Sequence, residues 1–408
     1  MNKNIRPLIL IFLILFSCHA VWSADFGLIL DQGAGVGGFG ADPSFEYNGM
    51  LVPRISLLIG DKGNFYASAG FKLEYAQNWS SAISEPWSFA PELLRTEFSW
   101  NFGNSFLTAG RMFYSDPAGF AAEGLFDGLK YSFDTDAGTF SAGVWYTGFL
   151  YKKRAGIAMN SGELTSLNSK ILYDDFLNTY FAPKRMIAAL DWEHPGLGDL
   201  VRTSFSVLGQ FDLAAGNFTD GIHTQYISGK ITVPFKMFYL DFGACVELAQ
   251  NAGDFNYALA GDIAAVIDLP TRIEDQLSVI GRYSSGKWDS NPLMAFLPIT
   301  PKNQGEVLKA KLSGISLISL DYLARFNSTM SLQASSTYFF RNDLGTYTTI
   351  GADGYMMGNE FSARFFWNPF SDLQMNIGAG IFLPGLGNAA PKLDPLWRAE
   401  IGLILSLY

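Results

Sequence analysis

The sequence predicts an all-β protein, a single antiparallel transmembrane β-barrel of about eighteen strands (sixteen to eighteen), with short turns at one rim and long loops at the other. Three observations carry this reading. Only 16% of the 408 residues are charged, and 42 glycines stand beside 35 phenylalanines and 18 tyrosines, a mixture that weakens helices and suits strands. Segment after segment alternates polar and apolar residues with period two. Beyond residue 24 no run of about 18 residues is free of charged and strongly polar side chains, so a membrane would be crossed by strands and not by a helix.

Residues 1–24 have the plan of a signal peptide. Lys3 and Arg6 precede the apolar run LILIFLILF (8–16), and small residues follow at Ala20, Ser23 and Ala24. Cleavage is expected near Ala24, with Ala20 the alternative. Cys18, in LFSC, lies where a lipid-attachment box would place its cysteine, but Phe16 suits that box poorly. Without the leader Cys245 is the remaining thiol, so no intramolecular disulfide staples the chain. Residues 25–408 read as one barrel.

Strands are expected near 25–35, 48–59, 65–77, 92–101, 105–114, 125–134, 138–151, 185–193 and 200–212. The second half supplies 223–233, 236–249, 254–268, 275–286, 306–326, 329–341, 356–367, 372–383 and 396–408. In 92–101, Arg95, Glu97, Ser99 and Asn101 share one phase, and Leu94, Thr96, Phe98 and Trp100 the other. The segment 359–367 sets Glu360, Ser362 and Arg364 against Phe361, Ala363, Phe365 and Trp367. Likewise 373–381 sets Gln374, Asn376, Gly378 and Gly380 against Leu373, Met375, Ile377, Ala379 and Ile381. Proline cannot donate to a ladder, and of the 17 prolines only Pro53 falls inside an expected strand. Short turns such as DKG (61–63), FGN (102–104), FNS (326–328) and NPFS (368–371) exchange with longer connections at 152–184 and 287–305. That alternation is the outer-membrane arrangement, short turns periplasmic and long loops extracellular.

A soluble β-sandwich alternates too, but eighteen strands would then form two or more domains, and no linker or composition shift divides this chain. Trp100, Trp192 and Trp367 all lie on the apolar phase just before an expected short turn. Three tryptophans at one level match an interfacial girdle, the ring in lipid and the N–H at the headgroups. Ordinary core positions are the plainer alternative.

The polar phases carry Arg54, Lys72, Glu74, Arg95, Glu97, Arg111, Lys130, Arg202, Arg282, Glu360 and Arg364. On the lipid side each Arg or Lys would cost roughly 2 to 4 kcal/mol at the midplane, so these residues are expected to line the lumen. They would set ion selectivity and hold solutes, or pair across strands and stiffen the wall. The connection 152–184 contains ILYDDFLNTYF, an unusual sequence for a loop bathed in water. Folded inward, it would place Tyr173, Asp174, Asp175 and Phe176 at a constriction; packed against the rim, its aromatics would anchor the loop.

The chain ends WRAEIGLILSLY. An aromatic last residue is what the barrel-insertion machinery reads, although Tyr408 falls off the apolar phase of Ile401, Leu403, Leu405 and Leu407. Two segments resemble porins of the alginate-export and carbohydrate-porin type: LTAGRMFYSDPAGFAAEGLFDGLKYSF (107–133) and GNEFSARFFWNPFSDLQMNIGAGIFLPG (358–385). The resemblance implies a porin wall, with Arg111 pointing into the lumen and Asp127 near the extracellular rim. The basic lumen of an alginate exporter is not announced by a net charge of -10.

That charge also speaks against nucleic acid as a partner. Catalysis is not expected: neither His194 nor His223 has a Cys or His neighbour at metal-ligand spacing, no GxSxG, P-loop or HExxH motif occurs, and neither a metal nor a cofactor is implied. The expected partners are outer-membrane lipid, the insertion machinery and small hydrophilic solutes, with saccharides and organic ions the candidates. The expected role is a porin-like channel for passive diffusion. The alternative is a barrel with a blocked lumen that binds a surface or joins an envelope assembly; oligomeric state is not legible.

Overall fold

The computed structural model describes residues 24–78, 86–198, 200–213, 221–251, 254–287, 293–343 and 354–408. The leader assigned to 1–24 therefore lies outside the described residues except for Ala24. Eighteen strands form one sheet: β1 (Ala24–Phe39), β2 (Asp42–Ile59), β3 (Gly63–Asn78), β4 (Trp87–Asn101), β5 (Ser105–Ser115), β6 (Glu123–Thr135), β7 (Gly138–Tyr146), β8 (Arg185–Leu197) and β9 (Val201–Asp212). They continue as β10 (His223–Pro234), β11 (Phe238–Asn251), β12 (Asp254–Asp268), β13 (Glu274–Ser284), β14 (Ile315–Arg325), β15 (Met330–Arg341), β16 (Met356–Phe370), β17 (Leu373–Leu383) and β18 (Leu396–Leu407). Each pairs antiparallel with its neighbour in sequence. β18 closes the barrel on β1, from Leu28↔Leu407 to Phe39↔Leu396, so every strand has a partner on both sides.

The connections 60–62, 102–104, 136–137, 235–237, 326–329 and 371–372 share the rim that holds the start of β1 and the end of β18. The long connections that follow β7 and β13 leave and rejoin the wall at the other rim. A cysteine at Leu164, exposed in a long loop, should react with a membrane-impermeant maleimide on intact cells, and one at Ser371 should not; native Cys245 is buried and will not compete. Equal labelling would overturn the topology.

Leu129, Val144, Leu190, Val207, Ile227, Ile263, Ile318, Ile377 and Ile401 form an outward band of exposed apolar side chains. A surface so extensive is stable only against lipid. Trp100, Trp192 and Trp367 lie on this outward phase near the short-turn rim, and the Trp192 indole N–H donates to the Ala137 carbonyl at 2.8 Å. Tyr408 departs from the phase here too: its ring lies against the Arg54 guanidinium, 4.4 Å from centroid to Cζ.

Three details differ from the sequence expectation. Strand 306–326 begins only at Ile315. The chain before it is broken by left-handed backbone at Gly305, Lys309 and Gly314, and folds into a two-residue ribbon, Asn303–Gln304 against Ala310–Lys311. Strand 138–151 stops at Tyr146. Pro43, Pro91, Pro195, Pro234 and Pro369 also sit within strands. Pro43 and Pro234 lie at strand ends, Pro195 and Pro369 inside register shifts, and Pro91 on a stretch of β4 that β5 does not pair, all places where a missing N–H is tolerated.

The lumen is not uniformly polar. Inward side chains Met112, Phe126, Trp145, Ile187, Leu208, Tyr226 and Ala258 form one core with loop residues Phe120, Leu150, Ile157, Phe296 and Ile299. Loops thus fill the side of the barrel bounded by β5–β12. The segment 116–122 is held in shape by the buried Asp116 carboxylate, which accepts from the amides of Gly119, Phe120, Ala121 and Ala122 at 2.8 to 3.1 Å. Lining the remaining side are the inward faces of β13–β18 and β1–β4.

Candidate functional site: a charged groove in the lumen

Two cavities follow that open side. One, of about 260 Å³, lies between the ribbon 303–307 and the wall from β13 to β18; its lining includes Arg282, Ser319, Asp321, Gln333, Ser335, Thr337, Ser362, Arg364, Arg398 and Glu400. The other, of about 190 Å³, is lined by Asp31, Glu46, Asn48, Asn376 and again Arg364, Arg398 and Glu400. The two cavities adjoin at these three shared residues and together form the charged groove.

Its narrow side is the ribbon. The Glu360 carboxylate accepts from the amides of Glu306 (2.6 Å) and Leu308 (2.8 Å), while Val307 packs with Leu317, Phe339 and Phe382. Gly305, at φ +81, approaches so closely that a Cβ there would lie 2.7 Å from Glu360 Oε2. Arg282 donates through Nη1 to Gln304 at 2.6 Å, and its Nη2 lies 3.6 Å from Asp262. Arg364 bridges Glu306 (2.7 Å) on the ribbon and Glu400 on the wall. Arg398 meets Glu400 at 3.0 Å and Glu46 at 3.2 Å. Guanidinium groups held by carboxylates in this way are fixed in place, and their remaining N–H groups are donors for a passing solute.

Across β2–β4 the charges continue. Lys72 and Lys153 converge on Glu74 at 2.7 and 3.0 Å, Arg154 meets the buried Glu92 at 2.8 Å, and Arg95 pairs with Glu97 at 2.7 Å. Below them is Arg54 against Tyr408.

Of the residues expected to line the lumen, Arg54, Lys72, Glu74, Arg95, Glu97, Arg282, Glu360 and Arg364 face this open side. Lys130 and Arg202 also point inward but stand on the filled side, Lys130 near Asp191 and Arg202 toward the short-turn rim. Arg111 does not point inward. It shares its phase with the exposed Phe113, pairs with Asp127 through two bonds of 2.8 and 2.9 Å, and is 5% exposed because the Phe149 carbonyl (2.9 Å) and that of Leu93 close over it. The count along β5 is unbroken and groups Arg111 with Leu107, Ala109 and Phe113, so it was the charge and not the phase that pointed inward. The bulge lies in β4, where Leu94 is an extra residue opposite Ser68 and Ala69, turned inward against Gly70.

The aromatic piece of the loop 152–184 anchors it to the rim. Tyr173 and Asp174 and Asp175 are exposed, and Asp175 accepts from Asn178 at 2.7 Å. Phe176 stacks on Tyr180, 4.4 Å between centroids, and Tyr180 packs on Ala90 and Tyr151. Burial pushes the Tyr180 phenol up to about 12, so it remains a donor, to the Pro91 carbonyl at 2.6 Å. The first half of the loop goes inward instead, through Arg154, Ile157 and the capped helix α1 (Ser161–Asn168), whose Glu163 pairs with buried Arg185 at 2.7 Å. Gln304, Lys153 and Arg154 lie in connections, which have no phase to read, and Glu306 lies in a stretch expected as strand and found as ribbon; the basic run KKR (152–154) is the visible signal among them.

No protein-family model and no curated relative matches the chain. Solved structures do. OccK9 (OpdG) of Pseudomonas aeruginosa aligns with 94% of this chain and 98% of its own at a TM-score of 0.62 and 12% identity. The chain has the fold of the OccK proteins. OccK5 (OpdH) gives a TM-score of 0.61 at 10% identity, with the same coverage, 94% and 98%. A structure of OccK2 (OpdF) in complex with glucuronate gives 0.57 at 10% identity, again covering 94% and 98%. The alginate-export type is not among these neighbours.

Proposed function

We propose that the chain is an outer-membrane channel for passive diffusion of small hydrophilic solutes, and that solutes bearing hydroxyls and a carboxylate use the groove. The observation that carries this is that two polar cavities of the lumen adjoin at Arg364, Arg398 and Glu400. Guanidinium groups suit a carboxylate. Between them Ser319, Gln333, Ser335, Thr337 and Ser362 offer the hydrogen bonds that a sugar-like body needs on leaving water. The glucuronate seen with OccK2 has both kinds of group. A long polyanion is a poorer match, despite the likeness of 107–133 and 358–385 to alginate-export porins, because the groove's arginines are already paired with Glu46, Glu306 and Glu400.

The blocked-barrel alternative has one observation in its favour, the loop core of Phe120, Phe296 and Ile299 inside the wall. Single-channel recording in a planar bilayer separates the two. The channel reading expects discrete conductance steps, faster proteoliposome swelling in glucuronate than in glucose, and loss of that preference with Arg398→Gln. Absence of any conductance would decide for the blocked barrel.

A further inference from the structure

The wall is not equally closed all round. β4 and β5 share six residue pairs, from Thr96↔Arg111 to Asn101↔Phe106, against thirteen between β3 and β4 and eleven between β5 and β6. Above Thr96 the two strands part. The divergence is built in: Gly110 approaches so closely that a Cβ would lie 2.0 Å from the Thr96 carbonyl oxygen, and β4 bulges at Leu94.

The Ala76 amide donates to the Pro86 carbonyl, so even-numbered residues of upper β4 bond β3. The odd-numbered carbonyls, Phe89, Pro91 and Leu93, face the place that β5 has left. A strand edge inside a membrane needs donors, and among the described residues no strand supplies them here. The Tyr173 hydroxyl donates to Phe89 (3.0 Å), the Tyr180 hydroxyl to Pro91 (2.6 Å) and the Arg111 guanidinium to Leu93. Both tyrosines belong to the loop 147–184, and Arg111 is held by that loop's Phe149 carbonyl. Within the loop Tyr151 bridges to Phe181, making a narrow ribbon beside the gap.

The seam has two unlike lips. On the outward phase Phe89, Leu93 and Phe113 are exposed, and the adjoining loop exposes Phe149, Leu172 and Leu177. Inside stand the ion pairs of Arg154 with Glu92 and Lys153 with Glu74. With Trp100 at the lower interface and about 9–11 residues of tilted strand crossing the lipid, 89–93 falls in the outer leaflet. We propose that the upper β4–β5 seam is a lateral opening between the lumen and the outer leaflet, kept shut by the loop 147–184, and that it admits single-chain amphiphiles. The apolar chain lies between the lips and the polar head in the charged groove.

Ala90, buried behind Tyr180, reports on the seam. In a Cys18→Ser, Cys245→Ser background, Ala90→Cys in lipid vesicles is reacted with N-dodecylmaleimide and, separately, with a sulfonated water-soluble maleimide. Tyr173→Phe with Tyr180→Phe removes two hydroxyl latches and keeps both rings, and should speed the dodecyl reaction about tenfold, well beyond any gain with the sulfonated reagent. Tyr180→Phe alone should give an intermediate gain. An unchanged dodecyl rate, or a gain no larger than that of the sulfonated reagent, would overturn the proposal, the second outcome showing a lid that lifts into water. Conductance of the same variants reads the axial path separately, so failure here leaves the channel reading standing.

Discussion

Phe365→Arg should prevent the barrel from assembling, whereas Gln374→Arg should leave assembly intact. Phe365 stands on the outward phase of β16, opposite Leu332 of β15 and Ile377 of β17, in the middle of the apolar band. A guanidinium there has no water and no carboxylate, and the cost at mid-depth is about 2 to 4 kcal/mol. Gln374 is only one strand away but on the inward phase, near the short-turn rim and opposite Ile404 of β18. There a charge meets solvent and can extend along the lumen. Refolding into lipid vesicles, followed by heat-modifiable gel mobility, measures the assembled fraction. Equal harm from both substitutions would mean that the faces are reversed.

The same residues show why so much of the wall was legible. Lipid on one side and water on the other force period-two alternation wherever a strand runs without a bulge, as in 359–367 and 373–381, so each of the eighteen expected strands has a counterpart. Legibility ended where a bulge inserts an unpaired residue. Leu94 is such a residue and turns inward although its phase reads outward, whereas Arg111 keeps the unbroken phase of Leu107, Ala109 and Phe113 and faces out because Asp127 and the Phe149 carbonyl pair its charge there. It ended again inside the barrel. Phe126, Trp145 and Tyr226 face inward because infolded loops meet them there, and an apolar residue does not announce whether its apolar neighbour will be a lipid or a loop. For the same reason the groove was half legible. Arg282, Glu360 and Arg364 sit on strands with readable phase, while Arg154, Gln304 and Glu306 reach it from loops whose path only tertiary packing determines.

Glu360→Ala should raise single-channel conductance and add unstable sublevels, because it releases the ribbon that narrows the groove. The carboxylate is 1% exposed and is the acceptor for two ribbon amides, those of Glu306 and Leu308. A hydrogen bond to a charged group contributes about 1.5 to 3 kcal/mol, and the substitution takes the acceptor from both ribbon amides. What then remains to hold the ribbon is Val307 against Leu317, Phe339 and Phe382, the Arg282 contact with Gln304, and the Arg364 pair with Glu306, whose carboxylate is itself half-exposed and therefore screened. The backbone ladder of β16 does not depend on the Glu360 side chain, so the wall should assemble normally. Glu360→Gln keeps one acceptor oxygen and should give a smaller rise. If Glu360→Ala retained the wild-type conductance without sublevels, the ribbon would not be the constriction, and the narrowing would have to be sought in the loop core around Phe120 and Phe296.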